Sequence, residues 1–260
     1  MALHGKTALI TGSTSGIGLS LARHFAGLGV NIVMNGFGDA DAIEANRKAL
    51  EAQGVKAIYS GADMTKPEQI AEMTELALKE FGAVDILVNN AGIQHVQPID
   101  EFPIAKWDAI IAINLSSSFH TIRLLSPAMK AQNWGRIINI ASVHGLVASP
   151  YKAAYVAAKH GIMGLTKVAA LDLAAYGITA NAICPGYVKT PLVEKQIPEQ
   201  AKAHGISEEE VTKTVFLKNH AIKDFVKVEE IAHLAEFLCS NSAATMTGIG
   251  LPMDAGWSSQ

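Results

Sequence analysis

Short strand-like segments alternate with longer helix-like ones along the whole sequence. Each strand-like segment is an apolar or β-branched run bounded by Gly, Asn or Asp. The seven predicted strands are residues 6–11, 31–35, 56–60, 84–90, 135–142, 178–186 and 248–254. Between them the apolar spacing is helical, as in 67–81, where a proline stands near the first turn. A strand followed by a helix, repeated six times, predicts an α/β fold with a doubly wound parallel sheet and helices on both faces.

The domain organisation follows from length and composition. The chain has 260 residues, of which 49% are hydrophobic and 17% charged, enough for one large core. No linker, repeat or low-complexity tract divides it, so residues 1–260 are predicted to form a single domain. One charged helical stretch, about 190–225, is inserted between the last two strands and interrupts the regular alternation of strands and helices. Because ligands bind beyond the carboxyl ends of strands in such sheets, this insertion is predicted to be a small helical lid.

Charge and hydropathy exclude several classes of partner. The net charge is −3 and there is no basic run, so we expect no nucleic-acid partner. No apolar run approaches the roughly 20 residues that span a bilayer, and the start lacks the pattern of a signal peptide. A soluble cytoplasmic protein is therefore expected. Cys184 and Cys239 lie in predicted buried segments and are expected to be small, reduced, apolar side chains.

A glycine cluster, "TGSTSGIG" at 11–18, forms the predicted first strand-to-helix turn. Gly12 follows the strand, and Gly16 and Gly18 open the helix. Without side chains the backbone can approach a pyrophosphate, and the free N–H groups of the helix favour its negative charge. A tight turn with no ligand would use the same glycines, but the strand and helix around it favour nucleotide binding.

The end of the second predicted strand indicates which dinucleotide is bound. An acidic residue there would bind a ribose 2′-hydroxyl, and a basic one would accept a 2′-phosphate. The sequence offers Asn35, Gly36 and Phe37, and Ser15 stands inside the glycine turn. The lack of any cation favours NAD over NADP.

Taken together, the motifs resemble those of the short-chain dehydrogenase/reductase family, over essentially the whole chain. They are "TGSTSGIG" (11–18), "NNAG" (89–92), "YVAAK" (155–159) and "PG" (185–186), in the family's order and spacing. The resemblance implies a Rossmann-type, seven-stranded sheet and a catalytic tetrad of Asn114, Ser142, Tyr155 and Lys159. The implied cofactor contacts are Gly12, Ser13, Thr14, Gly16, Ile17, Gly18, Phe37, Asp63, Met64, Asn90, Ala91, Gly92, Tyr155, Lys159, Pro185, Gly186, Val188 and Thr190. No metal is expected.

The sequence predicts a helix that begins at about Pro150, and in such a helix Lys152, Tyr155 and Lys159 would lie in one stripe along the same face. Oxidation of an alcohol needs a base for the hydroxyl proton, and tyrosine is a poor base because its reference pKa is about 10. The ammonium of Lys159, one turn away, together with the positive nicotinamide ring, is expected to lower the pKa of Tyr155. By resemblance, Ser142 would hydrogen-bond the reacting oxygen and Asn114 would hold a water that links Lys159 to solvent.

Lys152 indicates the kind of substrate. A second cation beside the tyrosine suits a carboxylate, whose charge needs a partner in a partly dehydrated pocket. Resemblance adds Gln94, His144 and Gln196 as further carboxylate ligands, beside Ser142 and Tyr155. Gln94 and Gln196 could equally be solvated loop residues, and His144 could cap a turn. Trp257 could be ordinary packing, whereas in the family it reaches a neighbouring subunit's site and covers the methyl end of the substrate.

Further segments, including "NNAGIQH" and "SVHGLVAS", resemble members of the family that interconvert D-3-hydroxybutyrate and acetoacetate. Those members are cytoplasmic, NAD-dependent homotetramers. The sequence departs from them at Ala255, where glycine is usual, and in 197–225. Two alternatives stay open: a 3-oxoacyl carrier-protein reductase of the same family, and a cofactor-sensing regulator that has lost its chemistry.

Overall fold

Seven parallel strands form the centre of the molecule. The structure, a computed structural model, describes residues 3–259, apart from the side chains of 192, 195, 199, 203 and 204. The strands are β1 (Thr7–Ile10), β2 (Asn31–Asn35), β3 (Ala57–Ser60), β4 (Ile86–Asn89), β5 (Gly135–Ile140), β6 (Ile178–Pro185) and β7 (Gly250–Met253). Their order in the sheet is β3-β2-β1-β4-β5-β6-β7. The order reverses between β1 and β4, and this switch point is where open sheets bind ligands.

Helices cover both faces of the sheet, as predicted. They are α1 (Gly16–Gly27), α2 (Ala40–Glu51), α3 (Pro67–Phe81), α4 (Ile104–Ile111), α5 (Ser117–Ala131), α6 (Ala153–Leu173), α7 (Pro191–His204), α8 (Glu208–Val211) and α9 (Val228–Cys239). Side chains of α1, α2 and α9 pack into one buried cluster, and those of α3, α5 and α6 into another. Successive side chains of a strand point to opposite faces of the sheet, and β1 shows this: Ile10 belongs to the first cluster and Leu9 to the second.

The helix that carries Tyr155 begins later than its sequence suggests. The prediction that it starts at about Pro150 is wrong, since α6 begins at Ala153. Tyr151 has a φ of 67°, in the left-handed region, and its carbonyl oxygen accepts a 2.9 Å hydrogen bond from the N–H of Gln97. Lys152, with φ −122° and ψ 36°, is the residue before the helix. Lys152 therefore does not share a helical stripe with Tyr155 and Lys159.

The insertion between β6 and β7 is helical, as predicted, and lies beyond the carboxyl end of β6. Thr190 caps α7, its Oγ1 accepting the N–H of Val193 at 3.4 Å. A bridge between Val188 and Val226 joins the two ends of the insertion. Phe216, which follows α8 in the chain, is buried. The insertion thus borders the edge of the sheet at which the strands end.

Two further features complete the fold. Cys184 and Cys239 are both buried and unpaired, as expected, and burial raises the pKa of each thiol, to about 11 and about 12. Among residues 3–259, no helix combines the length and the apolar character needed to cross a membrane.

Candidate active site

A cavity of about 660 Å³ opens at the carboxyl ends of the strands. The turn after β1, the ends of β4, β5 and β6, and the first turns of α6 and α7 surround it. The predicted residues that line it are Gly12, Thr14, Gly16, Ile17, Phe37, Asn90, Ala91, Gly92, Gln94, Ser142, His144, Tyr155, Lys159, Pro185, Gly186, Val188, Thr190 and Trp257. Its volume lies in the range of ligand pockets, about 300 to 1,000 Å³.

The glycine turn is packed so closely that side chains are excluded from it. A Cβ on Gly12 would stand 2.9 Å from the Cα of Ala91, and one on Gly18 would stand 2.3 Å from the carbonyl oxygen of Gly12. The Nδ2 of Asn90 donates to that same oxygen at 3.0 Å. Within the described chain, the Ser15 side chain does not cap α1. The first N–H groups of α1 therefore remain available to an anionic ligand in the cavity.

The end of β2 presents backbone and one exposed ring to the cavity. Asn35 is fully buried, and its Nδ2 donates to the carbonyl oxygens of Ser60 and Ala62 at 3.1 and 2.9 Å. The hydroxyl of Thr14 donates to the carbonyl oxygen of Phe37 at 2.8 Å, while the Phe37 ring is 67% exposed. The Asn35 amide is thus occupied by the protein, and the adjoining turn carries no charged side chain.

Tyr155, Ser142 and Lys159 converge at the floor of the cavity. Burial raises the pKa of Tyr155, and a hydrogen bond from Ser142 partly offsets this. Lys159 is buried, its Nζ donates to the carbonyl oxygen of Ile140 at 2.7 Å, and burial lowers its pKa to about 8. The Nζ lies 5.6 Å from the centre of the Tyr155 ring. In the protein alone, burial therefore outweighs the groups that lower the pKa of Tyr155, and the expected joint effect of Lys159 and a bound nicotinamide ring stays a prediction.

Asn114, the fourth member of the tetrad, is bound to the backbone. Its Oδ1 accepts the N–H of Ile93 and its Nδ2 donates to the carbonyl oxygen of Ile93, both at 2.9 Å. It lies in a π-helical turn, 112–116, between α4 and α5. The Asn114 side chain therefore fixes the backbone next to Gln94, and the expected water between Asn114 and Lys159 stays a prediction.

His144 is buried between two hydroxyl groups. Its Nε2 is 2.8 Å from the Oγ of Ser149, and its Nδ1 is 3.4 Å from the Oγ of Ser142. Burial is the main cause that lowers the pKa of His144 to about 4, followed by the charge of Lys152. His144 is therefore neutral at pH 7.

Lys152 stands beside the cavity rather than in its lining. Its Nζ lies 5.7 Å from the centre of the Tyr187 ring, a distance typical of a cation–π contact. Burial lowers the pKa of Lys152. A carboxylate placed between Lys152 and Tyr155 would stabilise the charge of this half-buried ammonium.

Several other predicted residues lie outside the lining. Among the described side chains these are Ser13, Gly18, Asp63, Met64, Asn114 and Gln196. The carboxylate of Asp63 binds the N–H and hydroxyl of Thr65, and Met64 is buried in a core cluster. Gln196 lies on an exposed part of α7.

Trp257 lines the cavity of its own chain, and its expected contact with a neighbouring subunit's site stays a prediction. Its ring stacks on Tyr187 with centroids 5.9 Å apart and meets His144 edge-on at 5.3 Å. Tyr187 was missed by the sequence analysis, although it directly follows the "PG" turn at 185–186. The two rings form an apolar wall beside Ser142 and Tyr155.

The fold and the convergence of Ser142, Tyr155 and Lys159 beside a glycine turn define a class of nucleotide-dependent oxidoreductases. The chain belongs to the short-chain dehydrogenase family, whose model matches residues 6–201. It is an enzyme of that family, an oxidoreductase.

The chain is also similar to individual proteins of this family. The D-beta-hydroxybutyrate dehydrogenase of Rhizobium meliloti (strain 1021) is 58% identical over 98% of this chain and 99% of that protein. The enzyme of the same name from Cupriavidus necator is 55% identical, covering 99% and 100%. A crystal structure described as a candidate short-chain alcohol dehydrogenase from Sinorhizobium meliloti 1021 superposes with a TM-score of 0.87. It is 33% identical, with 99% and 98% of the chains covered.

Proposed function

We propose that this enzyme oxidises D-3-hydroxybutyrate to acetoacetate with NAD and catalyses the reverse reaction. One observation carries the proposal: Lys152 and the neutral His144 stand next to Tyr155 and Ser142, so a cation and a hydrogen-bonding ring adjoin the reacting groups. A small acid with a secondary hydroxyl fits that arrangement. The two relatives above 50% identity, both D-beta-hydroxybutyrate dehydrogenases, support it.

The glycine turn supports a dinucleotide as cofactor. Gly12 and Gly18 exclude side chains from the approach, and the uncapped start of α1 suits a pyrophosphate. When bound, NAD accepts the hydride that leaves the hydroxyl-bearing carbon. NAD is favoured over NADP because the turn at 35–38 offers no cation to a 2′-phosphate.

The proton of the substrate hydroxyl passes to Tyr155. Ser142 donates a hydrogen bond to the same oxygen and holds it in place as its carbon becomes a carbonyl carbon. Lys159, with its pKa lowered to about 8, needs only a modest environmental change to exchange a proton near neutral pH. In the reverse direction Tyr155 returns the proton to the alkoxide that develops on acetoacetate.

The carboxylate is assigned to the Lys152 side of the cavity. An ion pair there would offset the cost of burying the ammonium, and Gln94 would supply a further hydrogen bond. The wall formed by Tyr187 and Trp257 would face the methyl end of the substrate. Gln196 completes this set only if α7 closes over the cavity. A homotetramer, implied by the family resemblance, is part of the same proposal.

The alternative function, reduction of 3-oxoacyl carrier-protein thioesters, predicts a different preference. The test compares NADH with NADPH for three ketones: acetoacetate, its neutral methyl ester and an acetoacetyl thioester. We expect acetoacetate with NADH to give the highest kcat/KM. A higher value for the thioester with NADPH would favour the carrier-protein reductase. Cofactor binding without turnover of any ketone would favour a regulator.

A further inference from the structure

A chain of hydroxyl and imidazole groups leads away from Tyr155. Ser142 hydrogen-bonds Tyr155, the Oγ of Ser142 is 3.4 Å from the Nδ1 of His144, and the Nε2 of His144 is 2.8 Å from the Oγ of Ser149. Ser149 is half-buried and precedes the strained turn at Tyr151. The chemistry proposed above uses Ser142 and Tyr155 but gives no role to Ser149.

The imidazole in this chain has one proton to share between two neighbours. Burial and the nearby ammonium of Lys152 keep the pKa of His144 near 4, so the ring is neutral at pH 7. A neutral imidazole donates from one nitrogen and accepts at the other. The partner of Nε2 therefore determines what Nδ1 offers to Ser142.

The proton of Ser142 is needed at the reacting oxygen, to which Ser142 donates in the reaction proposed above. Its Oγ also accepts the backbone N–H of His144 at 3.2 Å. Since a hydroxyl has one proton, Nδ1 of His144 must donate if it is to bond Ser142 as well. The Nε2 lone pair then faces Ser149.

We propose that Ser149 is a positioning residue that donates its hydroxyl proton to Nε2 of His144 and thereby fixes the tautomer protonated at Nδ1. In that tautomer His144 donates to Ser142, and the Ser142 proton stays directed at the reacting oxygen. In the opposite tautomer Nδ1 would accept the Ser142 proton and withdraw it from the substrate. The inference rests on the role proposed above for Ser142 in the reaction.

The tautomer can be observed without any turnover. Nitrogen-15 labelled histidine in the full-length protein reports which ring nitrogen carries the proton, and the variant His144→Asn identifies the His144 signals among the nine histidines. We expect Nδ1 to be protonated in the unmodified protein at pH 7, and Ser149→Ala to move the signals toward the Nε2-protonated form. Protonation at Nε2 in the unmodified protein would overturn the proposal, even if Ser149→Ala failed to fold.

The kinetic consequence separates this role from substrate binding. We expect Ser149→Ala to lower kcat about three- to tenfold, the effect of one neutral hydrogen bond, with the KM of the hydroxy acid nearly unchanged. Ser149→Thr keeps the hydroxyl and should restore both kcat and the tautomer. Ser126→Ala, on α5 outside the cavity lining, is the matched control and should behave as the unmodified enzyme.

Three results would contradict the proposal: an unchanged tautomer in Ser149→Ala, a loss confined to KM, or no recovery in Ser149→Thr. Failure of the proposed function has a different signature. An enzyme that does not turn over 3-hydroxybutyrate would still report its His144 tautomer, and the comparison of Ser149→Ala with Ser149→Thr could be read from the nitrogen-15 signals alone.

Discussion

The Nζ of Lys159 donates a 2.7 Å hydrogen bond to the carbonyl oxygen of Ile140, the last residue of β5. This contact attaches the ammonium to the end of the sheet rather than to the phenol of Tyr155, whose ring centre is 5.6 Å away. The protein alone therefore does not make Tyr155 a strong base, because burial raises the pKa of its phenol. A positive charge on a bound cofactor would supply the missing stabilisation of the phenolate.

Tyr155→Phe removes the group that accepts the proton but keeps the ring that packs against His144. We expect kcat to fall at least about 100-fold, as for the loss of a general base. NAD binding, measured by calorimetry, should stay close to that of the unmodified enzyme because the glycine turn is untouched. Retained turnover would mean that another group takes the proton.

Lys152→Ala should distinguish charged from neutral substrates. Hydrogen bonds to charged groups contribute roughly 1.5–3 kcal/mol, so kcat/KM for 3-hydroxybutyrate should fall about ten- to hundredfold. The value for an uncharged secondary alcohol should change much less. Lys167→Ala, which removes an exposed lysine of helix α6, is the matched control. Equal losses for both substrates would show that Lys152 supports Tyr155 instead of binding a carboxylate.

The sequence predicted the regular parts of the fold and the residues fixed by local chemistry. Helix α3 has the predicted bounds of 67–81, because its apolar spacing and its proline act locally. The position of Lys152 was mispredicted because a left-handed residue, Tyr151, precedes it, and a contact with Gln97, more than 50 positions away, accompanies that turn. The stack of Trp257 on Tyr187 likewise joins segments about 70 positions apart, which no local pattern encodes.

The buried His144 should make stability depend on pH. Its pKa falls from 6.5 to about 4 on folding, which corresponds to about 3 kcal/mol. The unfolded chain binds a proton between these values and the folded one does not, so this stability is fully present above pH 6.5 and is lost as the pH falls toward 4. Urea unfolding across that range should show a smaller loss for His144→Asn than for the exposed control His233→Asn. Parallel curves for the two variants would contradict the effect of burial.

Helix α7 should close when the site is filled. Gln196 lies outside the cavity lining, whereas Thr190, at the start of the same helix, lines it. Hydrogen exchange across 190–217 is therefore expected to slow when NAD and an unreactive short-chain carboxylate are added together. Because the carboxylate completes the set of ligands, NAD alone should protect less. Unchanged protection in the ternary complex would mean that the insertion is a fixed roof.

The most direct test of the proposed activity is the rate of NAD reduction with each enantiomer of 3-hydroxybutyrate, followed by absorbance. Tyr155, Lys152 and the apolar wall would bind the hydroxyl, the carboxylate and the methyl group of one hand only, and the names of the relatives indicate the D form. The proposed function therefore predicts turnover of the D enantiomer and little or none of the L enantiomer. Equal rates for the two enantiomers, or no reduction of NAD with the D enantiomer, would contradict it.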